Sequence, residues 1–214
     1  MAAFPVQDGQ TFLCIGDSIT DAGRCGEAAP LGNGYVSLFA DMVTAQYPKR
    51  NIRFINKGLS GNRIPDLRER WADDVVRHNP DWLSILVGIN DLHAHLIGAA
   101  TGVPPQQYRA DMEGLLTQTA EKTKAQVVLL APFYISGDHG SDTLRSQDLA
   151  LIPQYIEIVR EASRRHGARF VDIHQVFQDH LAFRESETFC PEPVHPNRTG
   201  HLVIAMALMQ ALTA

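Results

Sequence analysis

Phe12-Leu13-Cys14-Ile15-Gly16-Asp17-Ser18-Ile19-Thr20 holds the key to this chain, because a short apolar run stops there at Gly-Asp-Ser. A run of that length reads as a buried parallel strand. Its stop delivers the Ser18 hydroxyl to the strand's carboxyl end, where open α/β sheets bind their ligands. Farther along, Ile52-Arg53-Phe54-Ile55 leads into Asn56-Lys57-Gly58-Leu59-Ser60-Gly61-Asn62. Trp82-Leu83-Ser84-Ile85-Leu86-Val87 leads into Gly88-Ile89-Asn90-Asp91. In a parallel sheet these three strand-end segments converge on one edge although they lie far apart in sequence. A fourth segment, Glu192-Pro193-Val194-His195-Pro196-Asn197, stands just before the last apolar helix.

Helices alternate with these strands. Val36, Phe39, Ala40, Val43 and Tyr47 follow helical spacing and predict an amphipathic helix over Tyr35 to Tyr47. A second helix is expected from Pro65 to His78, with Pro65 in its first turn and Leu67, Trp71 and Val75 on one stripe, which makes Trp71 a core residue rather than a sugar platform. After the punctuation from Gly98 to Pro105, a long helix runs to Lys124 before the strand Val127-Val128-Leu129-Leu130. A further helix, Leu144 to His166, ends at Gly167 and leads to a strand Phe170-Val171-Asp172-Ile173. The result is an α/β fold, a three-layer sandwich with a five-stranded parallel sheet and right-handed crossovers. The loop from Arg184 to Pro196 carries three prolines and is expected to be a mobile or substrate-shaping segment. The terminal helix, Thr199 to Leu212, should dock on the sheet and pin the His195 loop; an exposed apolar side there would make a subunit contact, so a homo-oligomer is allowed for.

A chain of 214 residues suits one domain spanning residues 1–214. Its 24 acidic and 19 basic residues give a net charge of -5, which supplies no electrostatic reason to bind nucleic acid or an anionic membrane and favours an uncharged small molecule as partner. Met1 to Gln10 lacks the basic flank and apolar core of a signal peptide, and no run is long enough to span a bilayer, so a cytoplasmic location is expected. Cys14, Cys25 and Cys190 are too few and too scattered for a disulfide framework or a metal knuckle, and reduced thiols are expected.

The order Gly-Asp-Ser, Gly-x-x-Gly-Asn, Gly-x-Asn-Asp and Glu-x-x-His-Pro resembles the SGNH or GDSL hydrolase family from about residue 12 to residue 212. The resemblance implies the flavodoxin-like strand order 2-1-3-4-5, and it carries the family's Ser, Gly, Asn and His onto Ser18, Gly61, Asn90 and His195. Within the family, Ser60-Gly61-Asn62-Arg63 through Arg70-Trp71, Asn79-Pro80-Asp81-Trp82 and Ala131-Pro132-Phe133-Tyr134-Ile135 look most like bacterial acetylxylan esterases.

Those residues suit two-step acyl transfer. Ser18 would attack the acyl carbon, with His195 as general base and then acid. The backbone N–H groups of Ser18 and Gly61 and the side-chain amide of Asn90 would hold the oxyanion. One residue departs from the family pattern: Asp usually stands three residues before the His, and here it is Glu192, which either accepts from the imidazole as the third member of a triad or leaves that task to a backbone carbonyl. Asp17 is expected to hold the Ser18 turn, and Asp91 to cap the following helix or brace the turn from Gly88. An acetylated xylo-oligosaccharide or related carbohydrate is the substrate implied by resemblance; a broader short-chain esterase, thioesterase or lysophospholipase is the alternative. No cofactor and no metal are expected. Three rival readings start from other features: a metal site on His93-Ala94-His95, read as a loop that lacks a third ligand; a Cys190 nucleophile; and a non-enzymatic module binding flavin or a phosphate ligand, for which both glycine-rich phosphate loops are missing.

Overall fold

The computed structural model describes residues 4–140 and 142–213. Five strands, β1 (Thr11–Gly16), β2 (Arg53–Gly58), β3 (Trp82–Leu86), β4 (Gln126–Leu130) and β5 (Arg169–Val171), pair in parallel in the order β2-β1-β3-β4-β5. β3 lies at the centre of this order, and all five of its residues are buried, as expected of a strand that is apolar but for Ser84. Gly16 pairs with Gly58 on one side and Leu86 on the other, so β1, β2 and β3 end level with one another. A Cβ at Gly16 would come within 2.1 Å of the Leu86 carbonyl oxygen, which is why the strand must end on glycine.

Eight α-helices complete the described residues. α1 (Ser18–Asp21) follows β1 directly, and α2 (Tyr35–Gln46) packs against the terminal α8 (Arg198–Thr213) on one side of the sheet. α3 (Ile64–Asp74), α5 (Pro105–Lys122) and α6 (Leu144–His166) pack together on the other side, giving the three-layer sandwich. Trp71 is fully buried, and its Nε1–H donates to Thr119 Oγ1 at 3.2 Å, in agreement with its expected place in the core. Among the described residues, no helix is long and apolar enough to cross a membrane. Leu202 and Met206 point outward from α8.

Several local expectations need correction. The helix expected over Pro65 to His78 ends at Asp74, and a 3-10 turn, Val76–His78, leads to Asn79 with φ +41°. The fifth strand stops at Val171, because Asp172 takes the N-cap of a helix not expected from sequence, α7 (Ile173–Leu181), and accepts the N–H of Gln175 at 3.0 Å. α4 (Ile89–Leu96) begins ahead of Asp91, which was expected to cap it, and takes in His93 and His95, which were expected in a loop. The Arg184 to Pro196 segment, expected to be mobile or substrate-shaping, is held to its neighbours at several points. Ile135 N–H donates to the Pro193 carbonyl, Asn197 N–H to that of Phe189 and Asn197 Nδ2 to that of Thr188, while Phe189 and Cys190 are buried.

Candidate active site

Ser18 is the first residue of α1, two positions beyond the end of β1. Asp17 caps this four-residue helix, its Oδ1 accepting the Ile19 N–H at 3.0 Å, which fulfils its expected role in the Ser18 turn. The Ser18 hydroxyl lies 2.9 Å from His195 Nε2, although 177 residues separate the two. Behind the imidazole, Glu192 Oε1 meets Nδ1 in a short hydrogen bond and also accepts the His195 backbone N–H at 2.8 Å, while Oε2 accepts the Val194 N–H at 2.9 Å. The longer glutamate side chain is thus accommodated by curling back over its own turn. Against the raising effect of partial burial, these donors hold the Glu192 carboxyl below the usual carboxylate range. The His195 side chain is 55% exposed, so the pair it forms with Ser18 is open to solvent.

The second strand end brings Gly61 to the same edge. Gly61 has φ +80°, a conformation L side chains rarely adopt. Leu59 N–H donates to the Gly16 carbonyl at 3.1 Å, which ties the loop to the end of β1. The third strand end supplies Asn90 in the first turn of α4, and its Nδ2 donates to the Asn62 carbonyl at 3.0 Å, leaving the other amide hydrogen available. None of the hydrogen bonds among the described residues uses the N–H of Ser18 or of Gly61. Ser18, His195 and Glu192 form one hydrogen-bonded row, and the Gly61 loop is bonded both to β1 and to Asn90.

Asp91 does not cap the helix that follows it or brace its own turn with its side chain. It sits inside α4, and its Oδ1 reaches across to the Ile64 N–H at 2.9 Å, so it caps the start of α3. Burial pushes the Asp91 carboxyl up to about 7; the Ile64 N–H works against that, and the charge of Asp17 adds to it. Burial likewise pushes Asp17 up to about 7, against the Ile19 N–H and the charge of His195. Two buried carboxyls that interact with each other therefore lie next in sequence to Ser18 and to Asn90.

Three residues that sequence reasoning passed over shape the site. Asp21 accepts Ser60 Oγ at 2.7 Å and Ser60 N–H at 3.3 Å, joining the helix that bears Ser18 to the loop that bears Gly61. Arg70 donates to the carbonyls of Gly16 and Lys57 and to Asn62 Oδ1 at 3.1, 2.8 and 2.8 Å, clamping two strand ends to the loop. Asp148, fully buried on α6, faces His93. The only local signal was that Arg70 falls inside a motif segment and Asp21 directly follows one; the Ser60, Gly16 and His93 partners of Asp21, Arg70 and Asp148 lie tens of residues away.

The rival features find other roles. His93 and His95 lie on helix α4 rather than in a loop, where positions i and i+2 point about 200° apart and cannot share a side. No group of three His, Cys, Asp or Glu among the described residues could hold a metal. Burial pushes the Cys190 thiol up to about 11, the opposite of what an activated thiol needs.

The chain is similar to known proteins over nearly its whole length. The model of the GDSL-like lipase/acylhydrolase family matches residues 14–203. An acetylxylan esterase of Geobacillus stearothermophilus is 34% identical over 215 residues, covering 97% of this chain and 95% of the relative. A crystal structure of acetylxylan esterase from that organism has a TM-score of 0.87 at 33% identity, covering 98% of this chain and 96% of the other. An α/β hydrolase from the metagenome of Lake Arreo, Spain, has the same TM-score at 32% identity, with 98% of each chain covered.

Proposed function

Since the chain belongs to the GDSL-like lipase/acylhydrolase family and is a carboxylic ester hydrolase, we propose that it removes acetyl groups from acetylated xylo-oligosaccharide through an acyl-Ser18 intermediate. The observation that carries the mechanism is the row Ser18 Oγ, His195 Nε2, His195 Nδ1, Glu192 Oε1. The substrate reading rests on similarity over nearly the whole length to the Geobacillus stearothermophilus acetylxylan esterase.

In this mechanism His195 Nε2 takes the Ser18 proton as Oγ bonds to the acetyl carbon, and Glu192 stabilises the imidazolium through Nδ1–H. Negative charge gathers on the carbonyl oxygen, and the N–H groups of Ser18 and Gly61 with the Asn90 amide receive it. The intermediate collapses, the sugar oxygen leaves with the proton from His195, and water repeats the sequence to free acetate and Ser18. Asp17 and Asp91 act only through the helix starts they cap.

The test is a substrate series: aryl acetate, butyrate and longer esters beside acetylated xylo-oligosaccharide. Fastest turnover of acetyl esters, with acetate released from the sugar, is expected. Preference for long acyl chains, or no acetate from the sugar, would overturn the substrate assignment.

A further inference from the structure

His93 lies one helical turn beyond Asn90 on α4, and positions i and i+3 share a face of the helix. Its Nδ1 stands 3.2 Å from both carboxylate oxygens of Asp148, whose side chain is wholly buried, while the His93 side chain is 41% exposed. Burial first, and then the charge of Asp148, push the Tyr134 phenol up, so these two side chains interact. The next residue, Ile135, donates its N–H to the carbonyl of Pro193, within the turn that holds Glu192 and His195. His93 therefore sits on the helix of the proposed oxyanion donor and is linked, through its contact with Asp148 and the interaction of Asp148 with Tyr134, to the loop of the proposed base.

A buried carboxylate is costly unless a donor faces it, so Asp148 demands the proton on Nδ1. In the neutral ring this fixes the tautomer and turns the lone pair of Nε2 outward as an acceptor. Such an acceptor matches an O–H group. An acetyl group has none, so with a small acyl group only the alcohol portion of the ester can supply one.

We infer that His93, positioned by Asp148, is a specificity-determining residue that accepts a hydrogen bond from a free hydroxyl of the carbohydrate portion of the substrate. The inference rests on the carbohydrate reading above and extends it to a residue outside the four motif positions. The same contact has nothing to bind on an aryl acetate.

The experiment compares kcat/KM on acetylated xylo-oligosaccharide with kcat/KM on 4-nitrophenyl acetate. A chain carrying His93→Phe with Asp148→Asn removes the acceptor without leaving a buried carboxylate short of its donor. His93→Gln keeps a donor for Asp148 and an acceptor for the sugar. Loss of one such bond is expected to lower the sugar-to-aryl ratio by about fivefold to tenfold, through KM rather than kcat, with most of the ratio restored in His93→Gln. An unchanged ratio in a folded His93→Phe/Asp148→Asn chain, or an equal fall on both substrates, would overturn the role of His93 and leave the esterase reading standing. Wild-type chain that cleaves the aryl ester yet frees no acetate from the sugar would overturn both.

Discussion

Glu192 grips His195 twice, because one oxygen, Oε1, accepts both the backbone N–H and the ring Nδ1. The double contact sets the ring's position and its tautomer together, so that Nε2 faces Ser18 with its lone pair. Glu192→Ala should lower kcat by about 10² to 10⁴ with the fold intact, whereas Glu192→Gln keeps the backbone contact and loses the charge, and should fall between. Steady-state kinetics on an aryl acetate check this. Activity near wild type in Glu192→Ala would remove Glu192 from the triad and return the task of orienting His195 to a backbone carbonyl.

Asn90 is anchored by one amide hydrogen to the Asn62 carbonyl, which leaves the other for the oxyanion contact proposed above. Asn90→Ala should cost about 10² to 10³ in kcat. The loss should appear in kcat more than in KM, because the charge it meets exists only in the transition state. An equal rise in KM with kcat unchanged would instead make Asn90 a ground-state binding residue.

Arg70 holds the ends of β1 and β2 and the side chain of Asn62 with one planar guanidinium. Lysine cannot reproduce that fork. Arg70→Lys should let the Gly61 loop drift and lower kcat by about tenfold to a hundredfold, since small misplacements at a reacting centre are costly. Thermal unfolding measured alongside separates loop displacement from loss of fold.

Asp17 and Asp91 give the stability a pH dependence of definite sign. Burial lifts both carboxyls to about 7 in the fold, while in the unfolded chain each would release its proton near an ordinary aspartate value of about 3.9. Between those limits the folded state keeps protons that the unfolded state has lost, so this contribution is fully present below the unfolded value and disappears as pH rises through about 7. Asp17→Asn removes one of the two groups. Urea unfolding should show its stability relative to wild type increasing from pH 4 to pH 7 and levelling above; a difference independent of pH would mean that Asp17 is ionised in the fold throughout. Glu192 and Asp21 slope the other way, because their carboxyls, held low against the opposing effect of burial, lose their contribution as pH falls.

The strand ends were legible because a strand buried on both faces is written as a near-continuous apolar run, and β3 is such a run from Trp82 to Leu86, interrupted only by Ser84. Ser18, Gly61, Asn90 and the Glu192 to His195 turn stood at the ends of those runs or in a motif, so their place in the molecule could be read locally. The start of α4 and the whole of α7 could not. The first residues of α4 read as a continuation of the Gly88 motif, and Asp172, which caps α7, reads as the polar position of an alternating strand. Asp21, Arg70 and Asp148 were hidden for a different reason. Each matters through a partner 39, 54 and 55 residues away, in Ser60, Gly16 and His93, and no local period records such a pairing. The reach of Asp91 to Ile64 belongs to the same class.

The central claim is that the Ser18 hydroxyl, 2.9 Å from His195, attacks an acetyl ester of a sugar. Its most direct test is acetate release from acetylated xylo-oligosaccharide by wild type and by Ser18→Ala matched in folded content. The account predicts rapid release by wild type and a fall of roughly 10³ or more in the variant, with the remainder owed to substrate binding and oxyanion donors. Release by Ser18→Ala at the wild-type rate would contradict it.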